Sequence, residues 1–370
     1  MSCVLVTGSQ GFIGKRVADL LKSEGHELFT YDIDDPPKVL VDRVAKANFI
    51  FHFAGVNRPT DLGEFERVNV KLTEQLCALA GRAETNPVVV LASSTQALLD
   101  NPYGISKRQA EQVLERLAKV GGRVVIFRLP NVFGPGCRPN YNSVVATFAY
   151  NAAQGNPLQV HDPVRELTLV YVHDVTQAML ALIPAPPSKG QVEYREVSPV
   201  SRATLRELAT TFAAFRQSRL DATAPTVATA FERKLYATYL SHLNPDALSY
   251  NLTAKSDTRG VLAEFLKSET SGQLFVSRTR PGAVRGNHYH RTKTEKFFVV
   301  EGEGLIRIRR VDEKGKGFQY RVSGTDLRVV DIPPDHTHSI ENVGSAELVV
   351  LFWASEIFDS NAPDTMPLTV

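Results

Sequence analysis

A chain of 370 residues exceeds what one compact core usually fills, and 43% hydrophobic with 22% charged residues is the balance of a globular enzyme, not of a disordered or fibrous protein. The net charge is only +2, with Lys and Arg scattered along the chain, which excludes a nucleic-acid stripe or a polybasic membrane patch. No apolar run reaches membrane-spanning length, and residues 3 to 8 already read as a core strand with no room for a signal peptide, so a cytoplasmic setting is expected. Cys3, Cys77 and Cys137 share no metal or redox spacing and read as reduced packing residues.

Up to about residue 180, short β-branched runs alternate with amphipathic segments, the pattern of a parallel sheet covered by helices on both faces. The predicted strands are Val4 to Thr7, Glu27 to Tyr31, Phe49 to Phe53, Val88 to Ala92 and Val124 to Arg128. Between them, Lys71 to Gly81 and Ser106 to Lys119 are predicted helices. Residues 201 to 242 read as helical again, with Leu205, Leu208, Phe212 and Phe215 at turn spacing. After Asn244-Pro245 the texture becomes strand-like, with Leu274 to Thr279, Lys296 to Val300, Leu305 to Val311, Leu327 to Ile332 and Glu347 to Trp353 set between Gly, Pro and Asp turns. The expected organisation is therefore an α/β, Rossmann-type doubly wound parallel sheet over residues 1–245 and an all-β, jelly-roll barrel over residues 246–370.

The first strand runs into Thr7-Gly8-Ser9-Gln10-Gly11-Phe12-Ile13-Gly14, whose glycines let a backbone approach a pyrophosphate at a helix N-terminus. Tyr103 and Lys107 lie one helical turn apart, with Asn101 as cap and Pro102 in the first turn. On this reading Lys107 lowers the Tyr103 pKa towards neutrality, preparing a proton donor for a carbonyl. Ser93, Ser94 and Thr95 close the preceding strand, and Thr95 is the hydroxyl expected to bond the same substrate oxygen, with Ser94 beside it. Asp32 after the second strand favours a ribose 2′-hydroxyl and hence NAD, as do Asp34 and Asp35 unless they form only a turn, whereas Lys15 and Arg16 would suit a phosphate.

These features, together with Phe53-Ala54-Gly55, Asn69, Asn101-Pro102-Tyr103-Gly104, Arg128-Leu129-Pro130-Asn131-Val132-Phe133-Gly134-Pro135 and Tyr171-Val172-His173-Asp174-Val175, resemble the extended short-chain dehydrogenase/reductases that act on nucleotide sugars. The resemblance implies cofactor contacts at Gly8, Gln10, Gly11, Phe12, Ile13, Gly14, Asp32, Ala54, Gly55, Lys107 and Asn131, and substrate contacts at Arg165, Asn140 and Asn142. Two departures narrow it. Thr95 is followed by Gln96 and Ala97 where the sugar dehydratases carry an acidic pair, and Leu167 stands where the epimerases commonly place an arginine, with Arg165 nearby.

In the second half, His288 and His290 are two apart, so in a strand both imidazoles leave one face, and Glu295 and His338 are expected to join them from neighbouring strands. Three imidazoles and a carboxylate suit zinc or another divalent transition metal. Gly282, Gly302, Pro333 and Asn342 complete both signature segments of the cupin barrels, with Asp335 where that signature normally has glycine. His336 is the candidate base.

A sugar-nucleotide reductase followed by a metal cupin resembles the bifunctional capsular-polysaccharide enzymes of UDP-N-acetyl-L-fucosamine synthesis. His52 to Pro59, Cys137 to Ser143, Arg216 to Asp221 and Gly286-Asn287-His288 carry that likeness. It implies that the barrel epimerises a UDP-2-acetamido-2,6-dideoxy-4-hexulose at C3 and that the front domain reduces C4 with NADPH to the L-talose derivative, in a homodimer. NAD is not excluded, because of Asp32. An NAD-dependent sugar epimerase with a structural barrel and a sugar-nucleotide binding protein stay open beside it.

Overall fold

The computed structural model describes every residue of the chain except Lys314 and Lys316. Contacts divide it into two units, Met1–Ala213 with Val227–Asn244, and Ala214–Thr226 with Pro245–Val370. Where the sequence suggests one boundary after residue 245, residues 214–226 group with the second unit. No helix among the described residues is long and apolar enough to cross a membrane.

In chain order the first unit holds β1 (Cys3–Thr7), α1 (Phe12–Ser23), β2 (Glu27–Tyr31), α2 (Pro37–Lys46), β3 (Phe49–His52), α3 (Leu72–Ala80), β4 (Val88–Ser94), α4 (Pro102–Lys119), β5 (Arg123–Leu129), β6 (Asn131–Phe133), β7 (Glu166–Tyr171), β8 (Val192–Arg195) and β9 (Val200–Thr204). Six strands form an all-parallel sheet in the order β2-β1-β3-β4-β5-β8. Alternation along each strand sends successive side chains to opposite faces. Val4 and Val6 pack with Val17 and Leu21 of α1 on one side, while Leu5 packs with Leu40 of α2, Leu76 of α3 and Leu114 of α4 on the other. The sheet is thus doubly wound, and the order reverses between β1 and β3, where open α/β sheets bind ligands. The sheet ends at β2, because the sixteen residues 33–48 form one helix and no further strand.

Several boundaries differ from the sequence reading. The helix expected from Lys71 begins as a π-helical segment at Phe65–Lys71, and α4 starts at Pro102, four residues before Ser106, because Asn101 accepts the Gly104 N–H at 2.8 Å. Residues 201–242 open with a strand, followed by helices Leu205–Leu220 and Ala230–Leu240; Thr229 and Glu232 form a capping box that starts the second. Cys77 and Cys137 are buried, but Cys3 is half-buried with its thiol 2.8 Å from Glu27.

The second unit holds β10 (Ala254–Asp257), β11 (Gly260–Ser268), β12 (Gly272–Thr279), β13 (Val284–Tyr289), β14 (Glu295–Glu301), β15 (Glu303–Arg310), β16 (Phe318–Ser323), β17 (Val329–Ile332), β18 (His336–Asn342), β19 (Leu348–Ala354) and β20 (Met366–Pro367). They make two antiparallel sheets, β10-β11-β12-β19-β14-β17 and β16-β15-β18-β13-β20, a jelly-roll sandwich in place of one closed cylinder. Phe297, Val299, Ile306, Ile308, Ile340, Val350 and Phe352 fill the space between them. Asp335 adopts φ 55°, the left-handed conformation that glycine supplies in related turns and that Asp tolerates.

Candidate functional sites

In the first unit a cavity of about 890 Å³ opens over the switch point. Gly8, at φ 69°, begins the turn between β1 and α1, and a Cβ there would lie 2.7 Å from the Ala54 nitrogen. At Gly14 a Cβ would meet the Gly8 carbonyl oxygen at 2.1 Å, so any side chain there would push α1 off the turn it packs against. Gly8, Gln10, Gly11, Phe12, Ile13, Gly14, Gly55, Lys107 and Asn131 all line this cavity. Ala54 and Asp32 are not among its lining residues. The Asp32 carboxylate is engaged by the turn itself, accepting from Ser9 Oγ at 2.5 Å and from the Gln10 N–H at 3.0 Å. Lys15 and Arg16 do line the cavity.

Ser94, Thr95, Tyr103 and Lys107 converge on the same space. The pKa picture differs from the sequence reading. Burial pushes the Tyr103 phenol above its ordinary value, and the opposing pull comes from a hydrogen bond to Ser94, not from Lys107. Burial pulls Lys107 down to about 8 against the attraction of Glu111, and its Nζ donates to the Ala92 carbonyl at 2.7 Å. Ser94 is the hydroxyl that acts on the Tyr103 phenol, its Oγ also accepting the Gln96 N–H, and Thr95 lines the same cavity beside it.

Asn69 ties this side of the site together. Its amide bonds Val56 at both backbone positions, at 2.8 and 2.9 Å, and donates to Ser106 Oγ at 2.9 Å, joining the loop after β3 to the helix that carries Tyr103. Buried His52 bridges Thr7 and Thr73, and burial lowers it to about 3, so it is a neutral strut. An adjoining cavity of about 820 Å³ is lined by Arg58, Asn140, Asn142, Arg165 and Leu167; Asn142 and Tyr141 border both spaces. The three expected substrate contacts are thus brought together beside the Tyr103 centre.

In the second unit the ligand-type atoms of His288, His290, Glu295 and His338 all lie within 4.8 Å of one another. His288 pairs directly with His338 across β13 and β18, with ring centroids 4.6 Å apart. A bulge between Gly286 and His288, with Asn287 at φ 59°, sets that register. His290 stands one residue past the end of β13. Glu295 arrives not from a neighbouring strand but from β14 in the facing sheet, so the cluster is clamped between the layers. Phe297, two residues on, sets its ring 5.5 Å from that of His338 and forms an apolar floor.

The donor set fits a cation. His290 Nε2, His338 Nε2 and Glu295 Oε2 are buried without hydrogen-bond partners, although Glu295 lies 3.5 Å from His290 and 2.9 Å from His338: close, but misaligned for hydrogen bonding. Backbone carbonyls take the opposite ring nitrogens, His290 Nδ1 meeting Asp364 and His338 Nδ1 meeting His336 at 3.2 Å, which leaves each Nε2 facing the centre. Burial, reinforced by His338, lowers His288 to about 4. Burial also pushes Glu295 up, but His290 and His338 outweigh it and hold the carboxyl at about 2. A neutral imidazole and an ionised carboxylate are the forms that ligate.

His336 is not brought to this centre. It opens β18, its Nδ1 is bound to the Pro334 carbonyl at 2.8 Å, and it does not line the cavity of about 570 Å³ in front of the ligands. That cavity instead holds Lys293, only 5% exposed, which carried no signal in the sequence because a lone lysine in a turn reads as solvated.

Comparison with known proteins agrees with both halves. Residues 4–194 match the NAD dependent epimerase/dehydratase family and residues 255–366 match the polysaccharide biosynthesis C-terminal domain. A UDP-2-acetamido-2,6-beta-L-arabino-hexul-4-ose reductase of Pseudomonas aeruginosa is 40% identical, over 99% of this chain and 98% of that protein. The crystal structure of the capsular polysaccharide assembling protein CapF of Staphylococcus aureus superposes with a TM-score of 0.90 at 42% identity, over 100% of both chains. The Bordetella bronchiseptica enzyme WbmF, solved with NAD+ and UDP, shares the fold of the front part alone, at 18% identity, a TM-score of 0.56, and 65% of this chain against 92% of that one. The chain belongs to the NAD dependent epimerase/dehydratase family and carries a polysaccharide biosynthesis C-terminal domain behind it.

Proposed function

We propose that this chain is a two-site nucleotide-sugar enzyme. The second unit epimerises C3 of a UDP-2-acetamido-2,6-dideoxy-4-hexulose, and the first then reduces C4 with NADPH to UDP-2-acetamido-2,6-dideoxy-β-L-talose, on a route to L-FucNAc for a capsule or O-antigen. The observation that carries it is the presence of two separate chemical centres in one chain, Tyr103 with Ser94 and Lys107 in one cavity and the His288, His290, Glu295, His338 cluster in another. The activity named for the Pseudomonas relative, a UDP-hexulose reductase, and the capsular role named for CapF support the same reading.

A bound nicotinamide supplies the hydride for C4. The residues supply the rest. Tyr103, its pKa held up by burial, keeps its proton at neutral pH and delivers it to O4, Ser94 orients that phenol, and Lys107 presents a cation at the floor of the cavity. Arg165, Asn140 and Asn142 hold the UDP-sugar from the adjoining space. NADPH is the preferred donor on this reading, with the Asp32 carboxylate committed to Ser9 and Gln10 and Arg16 at the cavity wall.

In the second unit, His288, His290, Glu295 and His338 would hold a divalent ion, zinc by donor chemistry. Such an ion would supply positive charge beside the C4 oxygen, which becomes anionic while the C3 proton, acidified by the C4 ketone, passes to solvent and a solvent proton returns on the opposite face of C3. The homodimer belongs to the same reading; sedimentation at micromolar concentration should give twice the chain mass, and a monomer would remove it.

Incubating the 4-hexulose in heavy water with NADPH and NADH in parallel tests the reading. Reduced product should carry one deuterium at C3 and form faster with NADPH. Product without deuterium at C3 would overturn the two-step assignment.

A further inference from the structure

His290 lies just past β13 and Glu295 opens β14, so the spacing of two ligands depends on residues 291–294. Arg291 and Thr292 are exposed, and no sheet ladder includes them. What orders them is a single side chain from far along the chain. The Asp364 carboxylate accepts the N–H groups of Arg291 at 2.9 Å, Thr292 at 3.0 Å and Lys293 at 3.1 Å, with the Thr292 hydroxyl at 3.1 Å. Successive N–H groups converging on one anion form the concave backbone site that binds anions well.

The same residue reaches the ligand itself. The Asp364 carbonyl meets His290 Nδ1, which fixes the tautomer that leaves Nε2 bare towards Glu295 and His338. The neighbouring Pro363 carbonyl accepts from Lys293 Nζ at 3.3 Å. Beyond it, Met366 and Pro367 pair with Tyr289 and His288, and the Leu368 N–H donates to the Asn287 carbonyl at 2.9 Å. Asp364 is therefore anchored on the strand that carries one ligand while it grips the loop between two others.

We propose, resting on the metal-centre reading above, that Asp364 is a positioning residue of that centre: a clasp that sets the His290 ring and the loop leading to Glu295, and so tunes the affinity for the ion. Its carboxylate orders the loop, and its carbonyl orients the ring. Loss of an outer-shell partner of this kind typically weakens metal binding about 10–100-fold.

Full-length Asp364→Ala and Asp364→Asn proteins are titrated with Zn2+ against a chromogenic chelator, and with Co2+ while the visible ligand-field bands are recorded. The fluorescence of Trp353, which lies in the same unit, reports folding. Asp364→Ala should bind Zn2+ at least tenfold more weakly, with altered Co2+ bands, and Asp364→Asn, which keeps one acceptor, should lose a few-fold. If both variants bind Zn2+ within twofold of wild type with unchanged Co2+ bands, the segment only staples the sheet and the proposal falls. If the Ala variant does not fold, the Asn variant decides by the same criterion. Wild-type protein that takes up neither ion would sink the metal-centre reading and the clasp with it, whereas weakened variants beside a normal wild type uphold both.

Discussion

The two sites are built on opposite principles. In the first unit the groups central to the chemistry already have partners: Lys107 has the Ala92 carbonyl, Asp32 has Ser9 and Gln10, and the Tyr103 phenol has its pKa pulled down by the neighbouring Ser94. Buried Asn57 Oδ1, at the cavity wall, is the exception. In the second unit three polar atoms, His290 Nε2, His338 Nε2 and Glu295 Oε2, are buried together with no hydrogen-bond partner. An orphaned buried polar atom costs about 1–3 kcal/mol; the two imidazoles steady the Glu295 carboxylate in part, and a cation among the three atoms would offset the rest. A self-satisfied site suits a ligand that enters and leaves at every turnover, and a frustrated one suits a resident ion. If the two sites run separate steps, each should fail alone.

The largest expected effect tests that separation from the front. Tyr103→Phe removes the proton donor and should lower C4 reduction about 10³-fold, within the range for general acid catalysis, while leaving C3 exchange in heavy water within twofold. Mass spectrometry of recovered substrate measures the exchange, and loss of both steps would merge the two sites into one. The reciprocal change, His338→Ala, should lower exchange about 10²-fold, the scale for removing one electrostatic stabiliser, and empty the metal site. Reduction of a substrate already epimerised at C3 should continue at the wild-type rate in that variant. A fall in that rate would mean that the second unit serves the first.

How much of this was legible beforehand followed from how local each signal is. The glycine turn, the Tyr103–Lys107 pair and the His288–His290 pair are short-range patterns, and the residues of each lie together. Strands with unbroken apolar runs, such as Val88 to Ala92, were equally plain. Long-range partners were not. That Glu295 faces the histidines across a sandwich depends on strand order, which alternation cannot encode. Asp364 lies some seventy residues from the loop it holds, in a stretch between Pro363 and Pro367 that reads as an ordinary turn. His336, the candidate base, opens β18 after a left-handed Asp335 with its Nδ1 held by the Pro334 carbonyl, and it does not line the cavity in front of the ligands. Strand Phe318–Ser323 alternates strictly, Phe318, Tyr320 and Val322 against Gln319, Arg321 and Ser323, yet is not among the strands expected from the sequence.

A smaller effect separates the sites by pH. With Lys107 held at about 8, its ammonium is present below that value and lost as pH rises through it, so reduction should fall above pH 8. Glu111 pulls that pKa upward, so Glu111→Gln should move the falling limb to lower pH. C3 exchange, measured on the same protein over the same range, should show no limb that moves with Glu111. A limb that stays in place in the variant would detach Lys107 from the pH dependence.

The smallest effect decides between two adjacent hydroxyls. Ser94 lowers the pKa of the Tyr103 phenol and caps the turn at Gln96, whereas Thr95 lines the cavity without acting on that phenol. A neutral hydrogen bond contributes about 0.5–1.5 kcal/mol net, so Ser94→Ala should slow reduction roughly threefold to tenfold. Because Ser94 also lowers the phenol's pKa, its loss should raise the pH at which Tyr103 titrates. Thr95→Ala should leave that titration in place and act on KM for the sugar. Steady-state profiles of both variants measure the two effects. If Thr95→Ala moves the titration and Ser94→Ala does not, the hydrogen bond that prepares Tyr103 comes from Thr95, and the unliganded geometry rearranges when substrate binds.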